Sequence, residues 1–377
     1  MSDLAIFSSA EFKNSVQDLR DLLSQNRLTF LLGAGCSYKA GLPLMSELTE
    51  KVLGNDTLRE KSKTVLTSIR DLYSGSANAT IEDYMSELVD YLAIADRRTM
   101  RGSEQSKINI GGNEFSAEEL TNALDEAKQA VANLMFNKNV DISHHQQFVK
   151  SIHLSLQAGK TSRIVDYFVL NYDTLLEDAL GLERIDYVDG FAGSVTGWWE
   201  PSVFNKERSD ARVFKVHGSI DWCLLEGDPL PRRIRAGIKP DIGRNYVLIY
   251  PAATKYQETQ RDPFAQLLQK MRNGLSPNEG EEIILAICGY SFSDSHINLE
   301  IENALYQSGG RLTVAAFVSD DEPTGILQKW VATSVISEQI RVYANRVFLH
   351  GDSNIRTNKE LPWWKFEVLG RLLGGER

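Results

Sequence analysis

The sequence predicts an α/β protein, a Rossmann-like doubly wound parallel sheet with a helical insertion after the first βα unit. Three observations carry this expectation. Short runs rich in β-branched and aromatic residues, unbroken rather than alternating, recur at 28–32, 164–170, 213–216, 247–250, 283–288 and 312–318, as strands covered on both faces require. A glycine-rich turn follows the first run at once. Between that turn and the second run, from about 44 to 156, the apolar residues change to helical spacing.

The elements follow in order. Phe12, Val16, Leu19, Leu22 and Leu23 make one stripe of an amphipathic helix over 11–25, which feeds the strand at 28–32. In the helical block, Ile81, Tyr84, Met85, Leu88 and Leu92 form a second stripe, and Leu120, Ala123, Leu124, Ala127, Val131 and Leu134 a third. The polar, glycine-containing stretch 100–116 between them reads as a loop or a small exposed hairpin. The expected division is a discontinuous sheet domain, 1–43 and 157–377, interrupted by a helical module over 44–156. In the tail, Trp363, Trp364 and Phe366 suit core packing, with a docking helix or an oligomer contact as the alternative.

Composition bounds the function. A chain of 377 residues that is 42% apolar can bury one large core, or one core with a helical appendage. Charges of both signs are interspersed and sum to −10, which argues against a broad nucleic-acid footprint. The cluster Arg232, Arg233 and Arg235 reads as a solvated loop. No apolar run is long enough to span a bilayer, and the first residues lack the basic and apolar regions of a signal peptide, so a cytoplasmic protein is expected. Cys36, Cys223 and Cys288 show no paired spacing, and of the six histidines His144 and His145 read as helix surface. No metal centre is expected, and no zinc.

Four motifs carry chemistry. In the first, the strand leading to Gly33, Ala34, Gly35 and Ser37 ends in a turn whose backbone amides could approach a pyrophosphate. Tyr38 stands where the dinucleotide fingerprint has its third glycine, so a tight turn without a ligand stays open. The second delivers Asn171 and Asp173 at a strand end, where ligands bind in open parallel sheets. Asp173 could serve only as a helix cap, whereas a carboxamide at a buried strand end needs partners. In the third, His217 ends a strand beside Gly218, a position for accepting or orienting a proton near neutral pH. In the fourth, Gly289 follows a strand and precedes Ser291, Ser293 and Asp294, groups that could hold ribose or phosphate oxygens or cap the next helix. His296, on that helix, reads as a surface or packing residue.

Taken in order, GAGCSYKAGLP, LNYDTLLE, KVHGSIDW and GYSFSD resemble the sirtuin-like domains of bacterial antiphage defence proteins, over about 26–43 and 160–320. The resemblance implies that Gly33, Ala34, Gly35 and Ser37 face the phosphates of NAD⁺, and that Asn171 and Asp173 sit beside the nicotinamide ribose. It also implies that His217 meets the ribose hydroxyls, and that Gly289 and Ser291, with Asp294 as a further candidate, line the adenosine side. Asn171, His217 and Asp173 are the candidate catalytic residues. Protein-deacylating sirtuins carry a zinc module of two CxxC pairs, which this sequence lacks, and the interval from Asn171 to His217 is short for a peptide cleft. The implied activity is therefore NAD⁺ hydrolysis to ADP-ribose and nicotinamide, which in such relatives depletes NAD⁺ in infected cells. Three alternatives remain: an NAD⁺ or ADP-ribose sensor without turnover, a deacylase, and a nuclease effector. Restraint is expected from homo-oligomerisation or a separate partner, and the resemblance makes a HerA/FtsK-type ATPase ring a candidate.

Overall fold

The computed structural model describes residues 4–24, 27–73, 79–102, 107–136, 139–157, 164–206, 209–225, 227–234, 244–248 and 262–375. Helix α1 (Ala10–Leu23) leads into β1 (Arg27–Leu32), the short α2 (Gly35–Tyr38) and the helices α3 (Met45–Leu53), α4 (Glu60–Leu72) and α5 (Ile81–Met100). Strands β2 (Ile108–Ile110) and β3 (Asn113–Phe115), then α6 (Ala117–Met135) and α7 (Ser143–Gln157), complete the block before β4 (Val165–Val169) and α8 (Leu175–Leu182). Next come β5 (Tyr187–Val188), β6 (Phe191–Gly193), β7 (Gly197–Trp199), β8 (Ala211–Lys215), β9 (Gly218–Leu225), β10 (Arg232–Arg233) and β11 (Arg244–Leu248). The chain continues through α9 (Phe264–Gly274), β12 (Ile283–Cys288), α10 (Ser295–Gln307), β13 (Leu312–Phe317), α11 (Gly325–Ala332), β14 (Ile340–Tyr343), β15 (Val347–His350), β16 (Ser353–Arg356) and α12 (Phe366–Leu373).

The main sheet runs β16-β15-β14-β13-β12-β1-β4-β8-β5. From β14 to β5 every pairing is parallel, and β15 and β16 add an antiparallel edge. Successive residues of one strand enter opposite cores: Phe30 and Leu32 face one, Leu31 the other. Helices thus cover both faces, which is the doubly wound architecture the unbroken apolar runs predict. After β1 the chain goes first to β4, β8 and β5 on one side, and later to β12, β13 and β14 on the other. Strand order therefore reverses at β1, the place where open α/β sheets form a ligand crevice at the C-terminal ends of their strands.

One expected strand moves out of this sheet. The run expected at 247–250 lies partly in β11, which pairs antiparallel with β9 in a second sheet of order β11-β9-β10-β7-β6; residues 249 and 250 fall outside the described residues. Gly218, at φ +83°, turns the chain directly from β8 into β9, a conformation glycine adopts without penalty. Arg232 and Arg233, expected in a solvated loop, form β10 and pair with Asp228 and Asp189; Arg235 lies outside the described residues.

The helical block sits between β1 and β4, as expected, and its helices start where their caps dictate. Ser116 and Glu119 form a reciprocal capping box at α6, and Thr80 and Asp83 do so at α5. The stretch at 100–116 contains a true hairpin, closed by Gly111 and Gly112 with positive φ, yet it is not simply exposed. Ile108, Ile110 and Phe115 are buried in the helical core. That core also contains Tyr172, Leu175 and Ile220, so the module packs directly on the segments that follow β4 and begin β9. Helix α7, by contrast, contributes Phe148, Val149 and Ile152 to a core of the sheet, beside α12.

One histidine departs from expectation, and a second is buried beside it on the same helix. His145 is 2% exposed and packs on Phe366, and His153 is 3% exposed with its Nε2 2.9 Å from the Tyr167 hydroxyl. The polar letters around His145 concealed that the tail covers this face of α7. Trp363 is fully buried and donates from Nε1 to the Ala344 carbonyl at 2.7 Å, so the aromatic tail is core. Among the described residues, no helix is long and apolar enough to cross a membrane.

Candidate active site

Register places all four motifs at one level. Leu32 pairs with Val169 on one side and Cys288 on the other, and Val169 pairs with Lys215. Whatever follows these four residues therefore emerges along the same C-terminal edge of the sheet, over the crevice at β1.

The first turn is shaped by contact with the fourth motif. A Cβ at Gly33 would lie 2.4 Å from the Gly289 carbonyl oxygen, and one at Gly35 would lie 2.8 Å from the Gly289 Cα. Gly289 has φ +61°, and a Cβ there would meet the Cys36 amide nitrogen at 2.5 Å. Glycine is thus required by backbone approach at all three positions. The Gly33 amide donates to the Cys288 carbonyl and the Gly35 amide to Gly289, both at 2.9 Å. The Cys36 and Ser37 amides close the turn on Gly33 and Ala34. Only Ala34 is exposed at its tip, so most amides expected to face phosphates are already engaged within the protein. Burial pushes the Cys36 and Cys288 thiols up, which makes them inert as nucleophiles.

Below this turn lies a buried polar chain. The Ser37 hydroxyl, 2% exposed, donates to Asp173 Oδ2 at 2.7 Å and accepts from Asn171 Nδ2 at 2.8 Å. Asp173 Oδ1 accepts from the Leu175 amide at 3.0 Å, so this carboxylate both ties down the first amide of α8, just before which it stands, and holds Ser37. Ser37 is therefore a bridge between the second motif's two polar groups. Its hydroxyl fixes the carboxamide with nitrogen inward, and Asn171 Oδ1, although buried, accepts no hydrogen bond from the protein. An orphaned buried acceptor costs about 1–3 kcal/mol, which a ligand donor would recover.

Lys215 supports this chain from β8. It is 1% exposed, donates to the Asp173 carbonyl and lies 3.7 Å from Glu177 Oε1. Burial raises the Glu177 carboxyl to about 7, with Lys215 opposing. Lys215→Met is expected to destabilise the protein by about 3 kcal/mol, the low end for breaking a buried pair, because Glu177 can take up a proton. Urea unfolding checks this, and an unchanged midpoint would show that the pair contributes nothing.

His217 is 3% exposed, and the backbone after it is tied to the second motif by the Ile220 amide and the Ser219 hydroxyl, both donating to the Tyr172 carbonyl. The Tyr172 hydroxyl in turn donates to Glu82 Oε1 of α5 at 2.7 Å. His296, expected on the surface or in packing, is half-buried with its ring stacked on His217, Nε2 to Nε2 at 3.4 Å, and Asp294 is in the same cluster. Asp294 is buried and makes no side-chain cap at α10, whereas Ser291 is exposed and bonds Ser293 at 2.8 Å. The signal that could have found His296 is its place in the first turn of a helix that begins at this sheet edge.

Residues 166–338 match the model of the SIR2-like domain family. That span is similar to SIR2-like domains. A crystal structure of a SIR2 homolog–NAD complex is similar at 12% identity and a TM-score of 0.42, covering 95% of this chain and 92% of that one. No curated protein matches the sequence. The SIR2-like region begins inside β4, and so contains the second, third and fourth motifs. The glycine turn of the first lies outside the matched span, and the sheet places it beside them through β1. The three cysteines, Cys36, Cys223 and Cys288, are buried and too few for a four-cysteine cluster.

Proposed function

We propose that this chain hydrolyses NAD⁺ to ADP-ribose and nicotinamide, and that it serves antiphage defence by depleting NAD⁺. The observation that carries the proposal is Asn171: its amide nitrogen is held by Ser37, and its buried oxygen is left without a protein donor at the edge where the strand order reverses. The SIR2-like match over the same segment supports it.

Hydrolysis breaks the bond between the anomeric carbon and the pyridinium nitrogen; nicotinamide leaves neutral, and water supplies the new C–O bond and loses one proton. Little acid catalysis is needed at the leaving group. The enzyme's task is to orient ribose and water and to stabilise charge developing at the anomeric carbon. Asn171 Oδ1 accepts from the attacking water or a ribose hydroxyl, and His217 accepts from the ribose or takes the released proton. Asp173 acts through Ser37 by holding the carboxamide. Gly289, Ser291 and the exposed Ala34 are proposed to line the remainder of the nucleotide. Such an activity requires restraint, which we assign to self-assembly or to a partner such as a HerA/FtsK-type ring.

Incubation of the purified full chain with NAD⁺, alone and with the product of a neighbouring gene, tests this by mass spectrometry. Equal amounts of nicotinamide and ADP-ribose are expected. NAD⁺ recovered intact but bound would make the protein a sensor, and a cyclic product would make it a cyclase; either overturns the proposal.

A further inference from the structure

His217 and His296 reach each other across two strands. β8 and β12 are separated in the sheet by β4 and β1, three strand spacings or about 14 Å. Yet the Nε2 atoms are 3.4 Å apart, and the ring centroids 5.4 Å apart, so the two nitrogens face each other over the mouth of the crevice. For a direct hydrogen bond this is long. Two imidazole nitrogens bound to one tetrahedral cation at 2.0–2.1 Å would stand about 3.4 Å apart. The Asp294 carboxylate completes a set whose ligand atoms all lie within 4.8 Å of one another, close enough to converge by side-chain rotation.

The frame around these three groups is held by other residues. The Tyr290 hydroxyl accepts from the Asp294 amide and also contacts the Asp294 carbonyl and Asn298 Oδ1, at 3.1–3.2 Å. Asn298 Nδ2 donates to the Phe292 carbonyl at 2.8 Å, and Phe292 carries φ +57°, an unfavourable backbone for an aromatic residue. Strain of this kind persists where the surroundings impose it and clusters at functional sites. Here it lies two residues before Asp294, in the turn that delivers both Asp294 and His296.

We propose that His217, Asp294 and His296 bind a divalent transition-metal ion at the mouth of the crevice. Two imidazoles and one carboxylate are the donor set of open, catalytically competent sites, with positions left for oxygen ligands such as water or a substrate hydroxyl. The cation would bridge the segment after β8 to the one after β12, linking the two sides of the crevice. The proposal does not rest on the NAD⁺ reading, because it is measured on the protein alone.

The test is titration of the metal-stripped full chain with Co²⁺, followed by visible d–d absorption and by metal content after gel filtration. One equivalent retained is expected. Removing a group that merely supports a ligand costs about 10- to 100-fold in affinity, so His296→Ala and Asp294→Asn should weaken Co²⁺ binding by more than about 100-fold, with circular dichroism unchanged. Should a variant fail to fold, electron spin-echo modulation of the Cu²⁺-loaded wild type counts bound imidazoles, and two are expected. No retained cobalt, equal affinity in His296→Ala, or fewer than two imidazoles overturns the site. A protein that holds cobalt but leaves NAD⁺ intact loses the hydrolase reading and keeps this one; one that turns over NAD⁺ and holds no metal does the reverse.

Discussion

Asn171→Ala is expected to slow nicotinamide release by about 10²- to 10⁴-fold, the range for losing a group that positions or deprotonates the nucleophile, while the protein stays folded. The fold should tolerate it because the Asn171 oxygen makes no bond within the protein, and only the 2.8 Å donation to Ser37 is lost. That bond is worth about 0.5–1.5 kcal/mol, a small part of a domain's stability. Substrate affinity should change far less than turnover, since the orphaned oxygen is proposed to act on groups that move toward the anomeric carbon in the transition state. Ser37→Ala, which leaves the carboxamide free to rotate, should reproduce part of the loss. Near-normal turnover in purified, folded Asn171→Ala would remove the residue from the mechanism.

Stability is expected to fall by about 3 kcal/mol as pH drops from 6.5 to 4, as the sum of opposed protonations. Burial lowers His145 and His153 to about 4 from an unperturbed 6.5. Because the folded form resists the proton, the stability these residues allow is fully present above pH 6.5 and is lost as pH falls through 4, about 3 kcal/mol for each. Glu177 works in the other direction. Its folded value of about 7 lies above the ordinary 4.5, so protonation on going from pH 7 to 4.5 favours the folded form, by a similar amount. Two losses exceed one gain. Urea midpoints should decline across this range in the wild type and, with the Glu177 gain left unopposed, rise as pH falls when both histidines are changed to Gln. A midpoint that rises from pH 7 to 4.5 in the wild type would mean that the histidines are not held neutral by the fold.

The parallel sheet was legible because burial on both faces leaves its mark in each strand separately: Ile283–Cys288 is uninterruptedly apolar and forms β12 over the same residues. The antiparallel second sheet was not, because the run around 247 carries the same letters as a core strand. What redirects it is Gly218 turning β8 into β9, to which β11 then pairs. His145 was misread for a related reason. Its neighbours in sequence are polar, and its cover, Phe366, arrives from more than two hundred residues downstream.

Local pattern alone was enough to say where the polar groups would stand. Parallel strands pointing the same way must end along one edge, so Asn171, His217 and Gly289, each just after an apolar run, had to gather there. What each group meets depends on how the elements pack. Ser37, expected to face phosphates, bridges Asn171 and Asp173 from 134 and 136 residues away, and His296 reaches His217 over 79 residues and two intervening strands. Local periodicity records which face of an element is buried, whereas a hydrogen bond or a ligand cluster depends on distances between elements, which are set only when the two cores pack.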